Sequence, residues 1–259
     1  MSQPGPASPP PAAAAQPIPW FGLTAVLLGT FISTLNTRLS SFGLNDIRGA
    51  VHAGFDEGAW ITTALTVAQM VVLPVAIWLG GVFGARRVLI EAALAFAVVS
   101  FLEPFSTNLA MLLALQFVGG LASGFFIPLT LSFILRGVPP RLWAYGIALY
   151  ALNLELSLNI SASLEGWYVD HLSWRWIFWQ NVPLALGMAA CFRFGSPPDP
   201  RPPAAPRADR FGIVASGAGL ALIYAALDQG NRLDWLNSGL ICGLLAAGGL
   251  LVVAFLVYE

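Results

Sequence analysis

Uncharged apolar runs recur along the chain, separated by short clusters of Arg, Asp, Glu and Pro. A helix needs about 20 apolar residues to cross a hydrocarbon core of roughly 30 Å. The pattern predicts eight such helices, over about 20–36, 58–85, 88–105, within 104–135, 142–165, 176–192, 211–227 and 237–258. Residues 1–19 hold seven prolines, which remove helix donors and clash with the preceding turn, so this Pro/Ala-rich stretch reads as a disordered tail. Residues 193–210 hold six prolines and four Arg and read as a cytoplasmic linker. The predicted organisation is a bundle over 20–192, that linker, and two further spans over 211–259.

Composition strengthens this picture. Hydrophobic residues make up 57% of the chain and charged residues only 10%, with a mean hydropathy of +0.75. An ordinary soluble domain carries about a quarter of its residues as charges, so this chain belongs in lipid. All 12 basic residues are Arg, and against 13 acids the net charge is −1. No basic stripe exists, which argues against nucleic acid as a partner. With the N-terminus in the cytoplasm, Arg86, Arg87, Arg136, Arg141, Arg193, Arg201, Arg207 and Arg210 fall inside, and Arg38, Arg48, Arg175 and Arg232 outside. Eight against four fits the positive-inside rule and a multi-pass protein of the cell inner membrane. The first 37 residues are uncharged and lack a basic n-region and a cleavage site, so Trp20 onward is expected to stay in the membrane.

Catalytic signatures do not emerge. No HExxH, GxSxG or P-loop occurs, and Cys191 and Cys242 lie in apolar runs without metal-ligand spacing. The chain reads as a non-enzyme without cofactor or metal. The informative residues are polar groups inside the apolar runs. Glu155 lies about 13 residues into the fifth predicted span, with Asn153 beside it and Asn159 one turn on. An acid in lipid costs about 3 kcal/mol on insertion scales, so it usually turns to a bundle interior or a wet cavity. Glu103 precedes Pro104 near a span boundary, where its carboxyl is expected to reach water, and Glu165 is likewise near an end. Gly119, Gly120 and Gly124 permit close helix packing, while Gln116 reads either as an interhelical hydrogen bond or as a cavity-lining group.

Three segments together resemble the major facilitator superfamily, in its fourteen-span drug:proton antiporter branch of the EmrB/QacA type. Trp78–Arg87 (WLGGVFGARR) stands where that superfamily carries its Gly-rich basic loop between spans two and three. Leu79, Gly84, Arg86 and Arg87 fit the loop; Ile77, Gly81 and Ala85 replace other members of it. Leu115–Leu129 (LQFVGGLASGFFIPL) matches the span-four pattern, with Gln116 where an Arg is usual. Ser173–Leu186 (SWRWIFWQNVPLAL) resembles the start of span six and is the most specific segment. Leu227–Trp235 (LDQGNRLDW) is similar to the two linker spans of fourteen-span members.

The resemblance covers about 20–259, which corresponds to the first half of such a transporter plus its linker spans. It implies an all-α polytopic membrane protein in which a six-helix bundle is followed by two additional helices. It also implies proton-coupled efflux of amphipathic organic compounds, with a C-terminal half and a periplasmic adaptor as partners. Asn36 replaces the usual span-one acid, and Ser161–Gly166 (SASLEG) replaces the span-five antiporter signature. With Asn36 and Gln116 unable to titrate, Glu155 is the leading proton-coupling candidate, flanked by Asn153 and Asn159. The loop of Gly84, Arg86 and Arg87 reads either as a tight inside-positive turn or as a latch that breaks during alternating access. Arg87 and Glu91, at i and i+4, are spaced to pair on one helix face. The alternative to a transporter is a non-transporting membrane scaffold or sensor derived from a half-transporter.

Overall fold

A computed structural model describes residues 20–137, 143–195 and 209–259. The proposed tail 1–19, most of the linker 193–210 and the Pro-Pro break near 139 lie outside the described residues. The described residues are predominantly helical, without strands. The first predicted span is α1 (Trp20–Phe42), which runs six residues beyond Asn36 and past Arg38. Short helices α2 (Leu44–Ala50) and α3 (Phe55–Gly58) lead to α4 (Trp60–Phe83) and α5 (Ala85–Leu102), which ends in a 3-10 turn over Glu103–Phe105. Span four is two helices, α6 (Leu109–Ser123) and α7 (Phe126–Gly137), broken at Gly124 and Phe125. The rest comprises α8 (Trp143–His171), α9 (Trp176–Trp179), α10 (Asn181–Gly195), α11 (Arg210–Gly230) and α12 (Gly239–Tyr258).

Helix starts follow local chemistry. The Asn108 side chain accepts the Met111 amide proton at 2.8 Å to cap α6, and Asp209 accepts from Gly212 at 3.0 Å to cap α11. Such caps satisfy amide donors that have no partner within the helix. Among the described residues, six helical stretches are long and apolar enough to cross a membrane: 55–83, 85–105, 109–133, 143–171, 210–230 and 239–258. The other two predicted spans are α1 and the α9–α10 pair. Their shortfall has a physical cause. α10 has 15 residues, and α1 carries Thr30, Ser33, Asn36 and Ser40, all buried, on an inward stripe that lowers its hydropathy. A helix surrounded by other helices needs less apolar surface than one facing lipid.

That stripe marks α1 as the inner helix, packed against α10, α8, α7 and α4. Two apolar clusters flank it. One gathers Val26, Phe96, Phe126, Met188 and Phe192; the other gathers Leu35, Leu39, Ile61, Leu112 and Phe178. Around them α4 packs on α6, and α5 on α10. The α4–α6 seam requires glycine at position 120, because a Cβ there would lie 2.7 Å from the Ala68 Cβ and 3.0 Å from the Leu65 carbonyl carbon. Small residues at helix crossings allow the backbone approach that drives association in lipid. Gly120→Leu is therefore expected to lower stability by about 1–3 kcal/mol, the usual cost of overpacking a close-packed seam. The measurement is thermal unfolding in detergent, and a melting temperature equal to wild type would show that the seam can part without cost.

α11 docks on α4 and pairs with α12 as a hairpin. The hairpin closes on glycine. A Cβ at Gly219 would lie 3.2 Å from the Gly248 carbonyl oxygen, and one at Gly248 would lie 3.0 Å from that of Gly219.

Candidate functional site

The structure distributes the polar residues singled out above over three places. Asn36 is buried on α1 and accepts a hydrogen bond from Asn181 Nδ2 of α10 at 2.7 Å. It joins the first and sixth spans. Asn153 of α8 donates Nδ2 to the Leu27 carbonyl at 2.9 Å and to Thr30 Oγ1 at 2.7 Å, tying α8 to α1. Gln116 is fully buried on α6, with neither amide atom hydrogen-bonded among the described residues. These three amides sit within the bundle.

Glu155 and Asn159 face the other way. Leu152, Glu155, Asn159 and Ser163 form an exposed stripe along α8, at the three- and four-residue spacing of one helix face. Asn159 Nδ2 donates to the Glu155 backbone carbonyl at 2.7 Å, and the Glu155 carboxyl makes no ion pair among the described residues. Glu103 departs from the expectation that it reaches water. It is 1% exposed, and its Oε1 lies 3.5 Å from the point a Gly119 Cβ would occupy. Pro104 initiates the 3-10 turn that ends α5, and the absence of a side chain at Gly119 gives the carboxyl room against α6.

At the loop before α5, Gly84 adopts φ 88°, a left-handed backbone that favours glycine. Arg86 donates Nε to the Phe192 carbonyl and Nη2 to the Arg193 carbonyl, both at 2.8 Å. These are end carbonyls of α10, where a cation both completes hydrogen bonds and complements the helix dipole. Arg87 pairs with Glu91 at 2.8 Å, as the i, i+4 spacing indicated, and both are exposed. This surface pair contributes little stability, in the range of about 0–1 kcal/mol. It stands at the rim of an apolar groove of about 500 Å³ between α4, α5 and α6.

A polar cavity of about 390 Å³ lies between α1, α4, α7 and α11. Sequence reasoning missed it. Ser33, Thr34, Thr37 and Arg38 line it from α1, Thr62, Thr66 and Gln69 from α4, and Tyr224 and Asp228 from α11. Thr62, Thr66 and Gln69 fall at i, i+4 and i+7 within an otherwise apolar run, a spacing that could have revealed a wet helix face. Beside the cavity a clamp holds α11 to the bundle. Thr63 Oγ1 donates to Asp228 Oδ2 at 2.5 Å, and the buried Gln229 donates Nε2 to Thr63 Oγ1 and to the Ala59 carbonyl. Arg232 donates Nε to Gln229 Oε1 at 2.7 Å and pairs with Asp56 at 3.2 Å. LDQGNRLDW therefore contains the residues that fasten the seventh span to the second.

The model of the Major Facilitator Superfamily matches residues 26–258. The chain belongs to the Major Facilitator Superfamily. It is 28% identical over 236 residues to the multidrug export protein EmrB of Haemophilus influenzae, covering 91% of this chain and 46% of that protein. Identity to the EmrB of Escherichia coli K12 is 26% over 235 residues, with 91% and 46% covered. Identity to the fatty acid resistance protein FarB of Neisseria gonorrhoeae is 28% over 234 residues, with 90% and 46% covered. This superfamily member spans about half the length of the curated relatives it matches.

Among solved structures, the POT family transporter PepTSo superposes with a TM-score of 0.62 at 15% identity, over 90% of this chain and 51% of that one. The human organic anion transporter MFSD10 gives 0.59 at 19% identity, over 80% and 55%. At these identities the likeness concerns the fold. The fold is thus an all-α, multi-span facilitator bundle, α1 to α10, extended by the α11–α12 hairpin.

Proposed function

We propose that this chain is the N-terminal part of a proton-coupled exporter of amphipathic organic compounds. The observation that carries the reading is the α8 stripe. An acid in the middle of an apolar span, on a face that no other described helix covers, cannot be left against lipid without a cost of about 3 kcal/mol. It belongs against a partner element or a wet cavity, and in facilitators such a cavity lies near the midplane between two related halves. Glu155 is the proton-exchanging group at that boundary, and Asn159 offers a neighbouring polar contact for substrate. Asn36, Gln116 and Asn153 are the polar groups of the bundle behind it. The names of the EmrB and FarB relatives support export of toxic organic compounds.

In this reading the protein resides in the cell inner membrane with its N-terminus in the cytoplasm and hands its cargo to a periplasmic adaptor. The loop of Gly84, Arg86 and Arg87 is its cytoplasmic latch, with Arg86 gripping the end of α10 in one state and releasing it in the other. The decisive experiment expresses the gene containing this sequence in a drug-hypersensitive host and measures resistance and dye efflux across a compound panel, with and without a proton uncoupler. Uncoupler-sensitive efflux of amphipathic compounds is expected; efflux that persists without a proton gradient would remove the coupling. Orientation is read separately. With Cys191 and Cys242 replaced, a cysteine at Gly54 should label from outside and one at Ala85 from the cytoplasm. Labelling of Gly54 only from the cytoplasm would invert the topology.

A further inference from the structure

Two opposite charges line the polar cavity without pairing. Arg38 projects from α1 and Asp228 from α11, and no ion pair joins them. Their alternative partners are accounted for. Asp228 is held on Oδ2 by Thr63 and Gln229 and also accepts from the Tyr224 hydroxyl, while Arg232, the nearest other cation in sequence, is spent on Asp56 and Gln229. Arg38 makes no hydrogen bond or ion pair among the described residues. Both residues are exposed, and unlike charges that face one space attract unless something holds them apart. Here two separate helices hold them.

The walls between them have a definite hydrogen-bonding sense. Thr37 Oγ1 donates to the Ser33 carbonyl at 3.0 Å, and Thr66 Oγ1 donates to the Thr62 carbonyl at 3.2 Å. A hydroxyl that has given its proton to its own helix presents only lone pairs to the space in front of it. The Tyr224 hydroxyl bonds both Thr66 and Asp228, so the cavity offers acceptors at Thr37 and at the remaining lone pairs of Asp228, and a forked, permanently charged donor at Arg38. Ile127 and the ring of Tyr224 supply apolar surface. A volume of about 390 Å³ falls within the range of small-molecule sites, roughly 300–1,000 Å³.

We propose that this cavity binds zwitterionic amphipathic compounds, a carboxylate or similar planar oxyanion on Arg38 and an ammonium against Asp228 and Thr37. The site is built jointly by the bundle and the seventh span, so α11 is a wall of a ligand site as well as a connector. The inference deepens the export reading by giving its substrate a charge pattern, and it rests on that reading for the word substrate alone.

The test uses the whole chain in lipid nanodiscs and three fluorescent probes that share a dansyl group: Nε-dansyl-lysine, a zwitterion; dansylcadaverine, a cation; and dansylglycine, an anion. Empty nanodiscs supply the background. The zwitterion is expected to bind at least tenfold more tightly than either singly charged probe. Arg38→Gln, a change at an exposed residue without a partner among the described residues, should weaken zwitterion binding at least tenfold and leave the cation within twofold. Asp228→Asn keeps an acceptor for Thr63 and should weaken the zwitterion and the cation while sparing the anion. Equal affinities for the three probes, or an Arg38→Gln variant that binds the zwitterion like wild type, overturns the proposal. Because binding is read without transport, export lost with binding intact would remove only the export reading; export intact without zwitterion preference would remove only this site.

Discussion

Glu155→Gln is expected to abolish transport driven by a pH gradient while leaving expression and membrane insertion at wild-type levels. Asn36 and Gln116 are amides that bind no proton in the working range, and Asn36 is already committed to Asn181. Among the acids of the first six spans, Glu91 pairs with Arg87 at the rim, and Glu103 is enclosed between α5 and α6. Glu155 alone combines a mid-span position with an uncovered helix face. Gln preserves its size and removes its titration. The readout is proton-driven substrate movement in everted vesicles, with insertion checked by surface labelling. Because Glu155 makes no ion pair among the described residues, loss of transport in a normally inserted variant is the outcome expected of a lost proton site. Undiminished coupling would reduce Glu155 to a structural polar group.

In the proposed reading, the 259-residue chain produced alone is expected to insert and to perform no uphill transport. Alternating access requires one repeat to rock against another around a site between them. The chain spans 46% of the EmrB proteins it matches, and α8, whose most apolar window is only 11% buried, has no helix packed on its Glu155 face among those described. Proteoliposomes containing only this chain, loaded with dye and given an imposed pH gradient, provide the measurement. Robust accumulation against a gradient would mean that the chain forms its own second half, for instance as a homodimer.

Much of the architecture was legible because a lipid solvent demands apolar runs of a fixed length, and those runs are visible without knowing their neighbours. The Arg87–Glu91 pair was equally visible, since helix spacing alone brings it together. What failed to show in the sequence depends on which helix meets which. Glu103 looked like a boundary residue from its place beside Pro104, but its burial is set by Gly119 on the neighbouring helix. Asn36, a candidate site residue, accepts a hydrogen bond from Asn181 of α10, a contact between helices that spacing along the chain does not show. The cavity was hidden for the same reason, because Arg38 and Asp228 stand about 190 residues apart and are read together only once α11 is docked. The break of span four at Gly124 was also missed, since Gly at a close helix crossing and Gly at a helix break look alike in sequence.

The hairpin of α11 and α12 has a mechanical consequence. α12 is 20 residues long, about 30 Å at 1.5 Å per residue, almost wholly apolar, and mostly open to lipid. It rests on α11 through the glycine contact of Gly219 and Gly248, and α11 in turn is fastened to α4 by Thr63, Gln229 and Arg232. A helix of that length feels bilayer thickness, at a cost of fractions of a kcal/mol per Å of mismatch. The hairpin is thus an outrigger, and the wall carrying Asp228 is braced against the membrane itself rather than against the bundle alone. Lipids of different chain length would tilt that brace and, with it, the width of the cavity it closes.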